Sequence, residues 1–235
     1  MKIYIDQKAV QRNAIVGKIL RWVSLGCMLV GLLAVFSQQI FENPSLFSIF
    51  SSIMIVGVVL SSVSSFFTNR YGRSPRPDEI VDKSFKGLDD RYRLFHYRSS
   101  IPHLMSGPSG LWTIIPTFVD GEIAFDERKN NWIHKKNTFL NRFLSKEYFP
   151  NPTVELRNHQ KELDKITKTK NTNKKSKLKI LVILMNKNIR LSGIAESEDV
   201  LILPFEKVKD RFRKLAKNND QSSFISDSVF VDLQI

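Results

Sequence analysis

Histidine and cysteine are the residue types in this chain that could ligate a transition metal or transfer protons near neutral pH. The sequence of 235 residues holds one cysteine, Cys27, and four histidines, His96, His103, His134 and His159. Zinc sites usually take paired ligands from closely spaced positions, such as two histidines one helical turn apart. No two of these residues have that spacing. The sequence therefore predicts no metal site and no cofactor, and the single cysteine excludes an intramolecular disulfide.

Carboxylates are the other groups that could hold a metal ion or act as acid and base. Glu79 and Glu155 each lie near the start of a predicted helix, so the two could form a residual acidic site; the alternative is that Glu155 is an ordinary solvated residue. Asp120 precedes Gly121, a pair typical of turns, which accounts for this aspartate without a metal. Ser109 lies in Gly-Pro-Ser-Gly and not in a Gly-x-Ser-x-Gly elbow. No catalytic triad is predicted.

Positive charge is the most distinctive chemical feature of the chain. Lys and Arg total 36 against 23 Asp and Glu, a formal charge of +13, which favours a polyanionic neighbour. Three interpretations are open for the basic regions: a solvated face, adhesion to an anionic membrane leaflet, or nucleic-acid binding. The residues predicted to contact anionic lipid or nucleic acid are Lys168, Lys170, Lys174, Lys175, Lys177, Arg211, Arg213 and Lys214.

Two long uncharged runs lie in the first third of the sequence. Residues 22–41 contain no charge, and a second uncharged run spans 43–69. Each could cross a hydrocarbon core about 30 Å thick, which requires about 20 helical residues. We therefore predict transmembrane helices at 22–41 and 45–68. A cleaved signal peptide is the alternative for the first run, but a long charged leader and a second span directly after it argue against that alternative.

The charged flanks indicate how this hairpin is oriented. The connector between the runs carries only Glu42, whereas basic residues precede the first run, in a basic segment over 1–21, and follow the second: Lys2, Lys8, Arg12, Lys18, Arg21, Arg70, Arg73 and Arg76. The positive-inside bias then predicts a protein of the inner (plasma) membrane with both termini in the cytoplasm.

Small residues recur along the second run. Gly57, Ser61 and Ser65 are spaced four apart, which predicts a helix-packing stripe along which another helix can approach closely. The stripe would pack either against the first span or against a foreign membrane subunit. A linker at 69–77 follows the run.

The chain from 78 to 218 has the pattern of one cytoplasmic α/β (α+β) domain, followed by a tail at 219–235. The predicted elements of its first half are a helix over 78–90, a strand over 92–97, a hairpin around the turn 107–110, and a second hairpin closed by Asp120-Gly121 onto 123–125. The second half contains a helix that starts at Asn151-Pro152, an apolar central strand at 180–185, a strand at 200–203 and a basic amphipathic helix at 205–216.

Several features of this domain match a known family. They are Glu79 on the first helix, the aromatic strand that ends at Tyr97, the run His103–Gly110 (HLMSGPSG), Gly121, Ile123, Trp132, and Asn151-Pro152 at the second long helix. Through them residues 78–132, and more loosely the chain to about 217, resemble the nuclease-related domain (NERD) family. That family is a branch of the restriction-endonuclease-like superfamily. The resemblance implies a restriction-endonuclease-like fold.

The resemblance also locates the positions of a nuclease metal site. Active members of the superfamily use an aspartate before a strand and a Glu-x-Lys at its far end, because carboxylates hold Mg²⁺ and the lysine steadies the attacking water or the phosphate. Here the aspartate position falls on Pro102, the glutamate on Ile115 and the lysine on Thr117. The family's acidic helix residue remains as Glu79, and Glu155 stands where the family has a glutamine. The resemblance therefore implies a degenerate catalytic motif.

These observations predict a non-catalytic, membrane-anchored binding or assembly module, an accessory subunit of a larger membrane protein complex. The expected partners are the lipid bilayer and a membrane protein. The alternative is a membrane-tethered nuclease or nucleic-acid-binding protein with a relocated metal site.

Overall fold

The structure, a computed structural model, describes residues 1–126, 128, 131–136, 149–169, 177–192 and 199–218. This part of the chain divides into two compact units: a helical unit, Asp6–Pro77, and a sheet domain made of Met1–Ile5 together with the chain from Asp78 onward. The sheet domain is therefore discontinuous in sequence, and the helical unit is inserted into it. Three residues of the predicted basic region, Lys170, Lys174 and Lys175, and the tail 219–235 lie outside the described residues.

The helical unit contains two long apolar helices. Its elements are α1 at Gln7–Val35, the short α2 at Gln38–Glu42, α3 at Pro44–Phe67 and a π-helical turn at Thr68–Gly72. Among the described residues, α1 and α3 are the helices long and apolar enough to cross a membrane.

The bounds of α3 agree with the predicted span 45–68, whereas α1 differs from the predicted span 22–41 at both ends. The helix begins early because the Asp6 carboxylate accepts a hydrogen bond from the Ala9 amide at 2.9 Å, which caps its first turn. It ends at Val35 because the backbone of Ser37 is extended. The uncharged run is therefore divided between α1 and α2.

Small residues lie at the contact between α1 and α3. The buried positions Gly17, Ser24 and Gly31 of α1 recur every seven residues, as do Gly57 and Ser64 of α3. A repeat of seven keeps one seam of each helix facing the other. Polar contact is made as well, because the Ser64 hydroxyl donates to the Gly17 carbonyl at 2.9 Å.

Large apolar side chains cover the outside of the hairpin. Trp22 is 67% exposed, Leu33 59% and Ile55 62%. A water-soluble hairpin would carry a polar face at such positions. The outer surface is therefore matched to an apolar solvent.

Six described strands form a mixed sheet in the order β1-β2-β3-β4-β7-β9. Their bounds are β1 Lys2–Ile5, β2 Arg93–His96, β3 His103–Gly107, β4 Gly110–Thr117, β7 Leu178–Leu184 and β9 Val200–Pro204. Strands β2, β3 and β4 are antiparallel neighbours, and β7 is parallel to both β4 and β9. The turn at 107–110, the central apolar strand and the strand near 200 are confirmed.

Strand β1 was not predicted. Lys2–Ile5 belongs to the sequence segment 1–21, which we assigned to a basic terminal region, but it pairs in parallel with β2 from Lys2↔Arg93 to Ile5↔His96. The pairing joins residues about 90 positions apart. A local sequence pattern cannot predict pairing with so distant a strand.

The prediction of a second hairpin is wrong about which strands pair. Strand β5 (Glu122–Asp126) pairs with β6 (Asn131–Lys135) and β8 (Arg190–Ser192) in a separate small sheet and does not pair with β4. Gly121, with φ +102°, redirects the chain, and a Cβ at this position would lie 2.1 Å from the Lys135 carbonyl oxygen. Only glycine tolerates that conformation and that close approach.

Helices cover the two faces of the larger sheet. Helix α4 (Pro77–Phe85) and helix α6 (Val208–Asn218) pack on one face, in a cluster that includes Phe85, Trp112, Leu181, Val208 and Phe212. Helix α5 (Pro152–Thr169) packs on the other, in a cluster that includes Phe95, Leu104, Leu111, Leu163 and Leu178.

Helix α4 ends at Phe85 and not, as predicted, at Asp90, and Gly87 follows with φ +89°.

Candidate functional site

A chain of three polar side chains lies under α4. His96 Nε2 is 2.9 Å from the Asp82 carboxylate, and His96 Nδ1 is 2.8 Å from His103 Nδ1. His96 is fully buried and His103 is 4% exposed. Buried polar groups are costly unless they are hydrogen-bonded, so each contact in this chain stabilises the fold.

One arrangement of protons on neutral rings satisfies both contacts. A carboxylate accepts hydrogen bonds, so His96 Nε2 carries a proton and donates it to Asp82. With His96 neutral, its Nδ1 is an acceptor, and His103 Nδ1 donates to it. The chain therefore runs from His103 through His96 to Asp82, and protonation of both rings would set two N–H donors against each other.

Strand register brings the histidines together. Strands β2 and β3 are antiparallel, and His96 lies directly opposite His103. The connection between the strands is closed by a hydrogen bond of 2.9 Å from the Tyr97 amide to the Pro102 carbonyl, with Tyr97 at φ +58°. The backbone at Tyr97 is strained for a residue other than glycine. The Tyr97 ring lies 5.2 Å from the His103 ring.

The sequence analysis missed this histidine pair because it considered only histidines one turn apart on a helix, whereas these two lie on neighbouring strands. A usable signal was present. Leu94 and His96 lie on one face of β2, and His103 and Met105 lie on the same face of β3. The strand register then places His96 opposite His103. The described residues contain no group of three or more histidine, cysteine, aspartate or glutamate side chains arranged to hold a metal ion. The chain of Asp82, His96 and His103 is defined by its two hydrogen bonds.

The positions matched to the nuclease ligands have no ligating side chains. Pro102 lies directly before β3, while Ile115 and Thr117 lie in β4. None of the three carries a carboxylate or an amine. A Mg²⁺ site of the nuclease kind needs carboxylate oxygens at these positions.

The predicted residual acidic site is not assembled. Glu79 is on α4 and Glu155 is on α5, and these helices pack on opposite faces of the sheet. Glu155 lies one helical turn before His159, whose Nε2 is 3.9 Å from the Glu155 carboxylate. The His159 ring bonds Thr113 at 2.8 Å through Nδ1. The two glutamates therefore cannot share one ion.

The sheet also divides the predicted basic contact residues. Lys168 is on α5, whereas Arg211, Arg213 and Lys214 are on α6, on the opposite face. Lys177 forms an ion pair of 2.6 Å with Asp199. The predicted basic contact residues therefore do not form one surface.

An open cavity of about 430 Å³ lies between the segment after α4 and the end of α6. Arg91 forms two hydrogen bonds to the Asp89 carboxylate, at 2.7 and 3.0 Å, and these bonds lower the pKa of Asp89. Burial raises the pKa of the Tyr92 phenol, which donates to the Phe212 carbonyl at 3.3 Å. Lys217 also lines the cavity.

The predicted helix-packing stripe is partly reassigned. A Cβ at Gly57 would lie 2.9 Å from Met28 and 3.1 Å from Cys27, so Gly57 faces α1. Ser61 and Ser65 are only half-buried beside this contact. Packing against the first helix, one of the two alternatives for the stripe, therefore accounts for Gly57.

Comparison of the chain with family models, with curated proteins and with solved structures finds no match.

Proposed function

We propose that this chain is a membrane-anchored, non-catalytic binding or assembly module, an accessory subunit of a larger membrane protein complex. In this proposal α1 and α3 span the inner (plasma) membrane. The sheet domain is a degenerate, NERD-related member of the restriction-endonuclease-like superfamily and lies in the cytoplasm.

The observation that carries the proposal is the insertion of the hairpin into the sheet domain. Strand β1 precedes α1, and the rest of the sheet follows α3, yet β1 pairs with β2 over four residues of each strand. Strands that pair lie on one side of a membrane. The chain between them must then cross an even number of times, which is what two spans do. The charge of the flanking segments favours the cytoplasm as that side.

The lengths of the helices support insertion. Gly17 lies beside Phe67, and Gly31 lies beside Met54, so residues 17–35 of α1 run along most of α3. Those residues span about 30 Å at a rise of 1.5 Å per residue, the thickness of a hydrocarbon core. Lys18 and Arg21 then lie within about one turn of its edge, where long basic side chains reach the headgroups.

Topology is tested by cysteine labelling. In a chain whose native cysteine is removed by Cys27→Ala, a cysteine at Asn43 should react with an impermeant thiol reagent in intact cells. A cysteine at Ser74 should react only after the cells are opened. The reverse pattern would overturn the cytoplasmic location, and labelling of both sites in intact cells would overturn membrane insertion.

Support for a non-catalytic role comes from Pro102, Ile115 and Thr117 at the positions of the nuclease ligands. The purified full chain is expected to leave DNA and RNA intact in the presence of Mg²⁺ or Mn²⁺. Cleavage that is lost in Glu79→Gln would contradict this expectation and would favour the alternative nuclease function. Cleavage that persists in Glu79→Gln and follows the protein through purification would place a relocated site elsewhere.

The assembly role is tested by gentle detergent extraction at native expression level. A membrane protein should co-purify in a constant ratio, and its retention should be insensitive to salt if the contact is packing within the membrane. Replacing the outward Ile55 by tryptophan should weaken retention if that side of α3 is the contact. Recovery of this chain alone, folded and uniform in size, would overturn the assembly role.

A further inference from the structure

A basic surface lies where α6 packs beside the end of α4. We call it the α6 face. It is defined by Lys83, Lys86, Lys209, Arg213, Lys214 and Lys217. The helices touch there: the Phe85 and Phe212 rings meet edge to face at 5.1 Å, and the Arg213 guanidinium donates to the Gly87 carbonyl at 3.2 Å. Cations from two distant stretches of sequence therefore share one surface.

The apolar side of α6 is already used inside the domain. Val208 and Phe212 are fully buried in the cluster on this face of the sheet, and Ala216 is nearly so. Amphipathic helices that insert into a bilayer need a free apolar side. A ligand of the α6 face would therefore be held electrostatically at the surface, without insertion of the helix.

The positive charge of the face is only partly neutralised. Asp210 lies 3.9 Å from Arg213. Asp82, directly before Lys83 on α4, is 2.9 Å from His96 Nε2. The other carboxylates on these segments are the buried Asp78, Glu79 and Glu206, and Glu206 pairs with Lys187 at 3.6 Å. Among the described residues, Lys83, Lys86 and Lys214 form no ion pair, and all three are exposed. These lysines are free to meet an external anion.

We propose that the α6 face binds the headgroups of anionic phospholipids. The inference rests on the proposed membrane insertion of the hairpin. Helix α4 begins at Pro77, shortly after the π-helical turn that ends at Gly72, and Lys83 and Lys86 follow the end of α3 at Phe67 by fewer than 20 residues of sequence. Basic residues held within about a Debye length of an anionic leaflet are attracted to it.

Nucleic acid is the competing polyanion. Proteins that hold single strands combine basic grooves with exposed aromatic rings on which bases stack. The aromatic side chains next to the α6 face, Tyr92, Trp112 and Phe212, are buried. Within the described part of the domain the face therefore offers cations without a stacking platform, which favours lipid headgroups.

Helix α5 supplies a matched control on the opposite face of the sheet. Arg157, Lys161 and Lys168 are exposed there, among the carboxylates Glu155, Glu162 and Asp164. The triple variant Lys83→Gln, Lys86→Gln, Lys214→Gln removes three positive charges. The control triple Arg157→Gln, Lys161→Gln, Lys168→Gln removes the same charge from the other face.

The test measures binding of the full chain, held in phosphatidylcholine nanodiscs, to separate liposomes by co-flotation. Liposomes with 40% phosphatidylglycerol are expected to bind the chain, and pure phosphatidylcholine liposomes are not. The α6-face triple should weaken binding about 100-fold, because each basic residue near the surface contributes about fivefold. The control triple should change binding less than about threefold, and 0.5 M salt should abolish binding of every variant.

Three outcomes would overturn the proposal: no binding to phosphatidylglycerol liposomes, equal loss in both triples, or binding of a 20-base-pair DNA duplex without binding of the liposomes. The last would identify the face as a nucleic-acid surface. Far-UV circular dichroism of both triples excludes misfolding as the cause of a loss. Cysteine labelling at Asn43 and Ser74 reports the topology independently, so failure of lipid binding is distinguishable from failure of membrane insertion.

Discussion

The helical hairpin and the sheet domain distribute residue sizes in opposite ways. In the hairpin the buried positions are small, such as Gly31, Gly57 and Ser64, while Leu33 is 59% exposed. In the sheet domain Leu181 and Phe212 are fully buried, and the exposed side of α6 carries lysine and arginine.

The difference indicates what stabilises each unit. Burial of apolar area in water stabilises the sheet domain. For the hairpin in the membrane that we propose, that term is small, and close approach of the backbones supplies the contact energy instead. Small residues are therefore as important in the hairpin as large ones are in the sheet domain. We expect substitution of a large residue to cost more stability in the sheet domain, and substitution of a small residue to cost more in the hairpin.

The largest contrast is expected for the same substitution made in both units. Leu181→Ala should lower the free energy of unfolding of the sheet domain by about 2–5 kcal/mol, because it leaves a cavity in the central strand. Leu33→Ala should change hairpin stability by less than about 0.5 kcal/mol, because its side chain is not packed. Urea unfolding of the full chain in a mild detergent measures the first, and denaturation by sodium dodecyl sulfate measures the second. Equal losses would remove the distinction.

The next effect concerns glycine in the hairpin. Gly31→Leu should destabilise the α1–α3 contact by about 1–3 kcal/mol, because a Cβ at Gly31 lies 2.7 Å from Met54 Cβ and the helices would have to separate. Gly26→Leu is the control, since no described atom outside its own helix would lie within 4 Å of its Cβ. Denaturation by sodium dodecyl sulfate compares the two variants. An equally large loss in Gly26→Leu would show that glycine acts here through the helix backbone and not through packing.

The buried histidine pair tests polar contacts in the sheet domain. His103→Phe leaves Nδ1 of His96 without its partner, and we expect a loss of about 1–3 kcal/mol in urea unfolding. Glu155→Gln is the control and should cost less than about 0.5 kcal/mol, because its contact with His159 is 3.9 Å long. If His103→Phe is neutral, the pair does not contribute to stability.

The smallest expected effect is on the polar contact inside the hairpin. Ser64→Ala removes the hydrogen bond to the Gly17 carbonyl and should cost about 0.6 kcal/mol, a typical value for such bonds in membranes. Ser62→Ala is a control, because the Ser62 hydroxyl bonds Val58 within its own helix. A loss in Ser64→Ala as large as that in His103→Phe would contradict the proposed difference between the two units.

Elements defined by local pattern were predictable. The apolar run 180–185, the turn at 107–110 and the Asn151-Pro152 helix start carry their own signals, and the structure contains β7, a tight turn between β3 and β4, and α5 at these places. The bounds of α1 were less predictable, because the Asp6 cap extends the helix well before the uncharged run.

Sites were less predictable than elements. The Asp82–His96–His103 chain depends on one strand register and on the helix that packs over it. Strand alternation hinted at the histidine pair, but no local pattern indicated that Asp82 would join it. The basic residues were identified by composition, but composition does not indicate that Lys168 and Lys214 lie on opposite faces of a sheet.

Local patterns in the sequence account for the two apolar helices, the basic charge and the order of most elements, because hydrophobic periodicity, caps and turns act over a few residues. Tertiary structure decided that β1 completes a sheet begun after the hairpin, that β5 leaves that sheet, and that His96 meets His103. These outcomes depend on pairing between distant strands. Such pairing is selected by the packing of the whole domain, and no short segment contains that information.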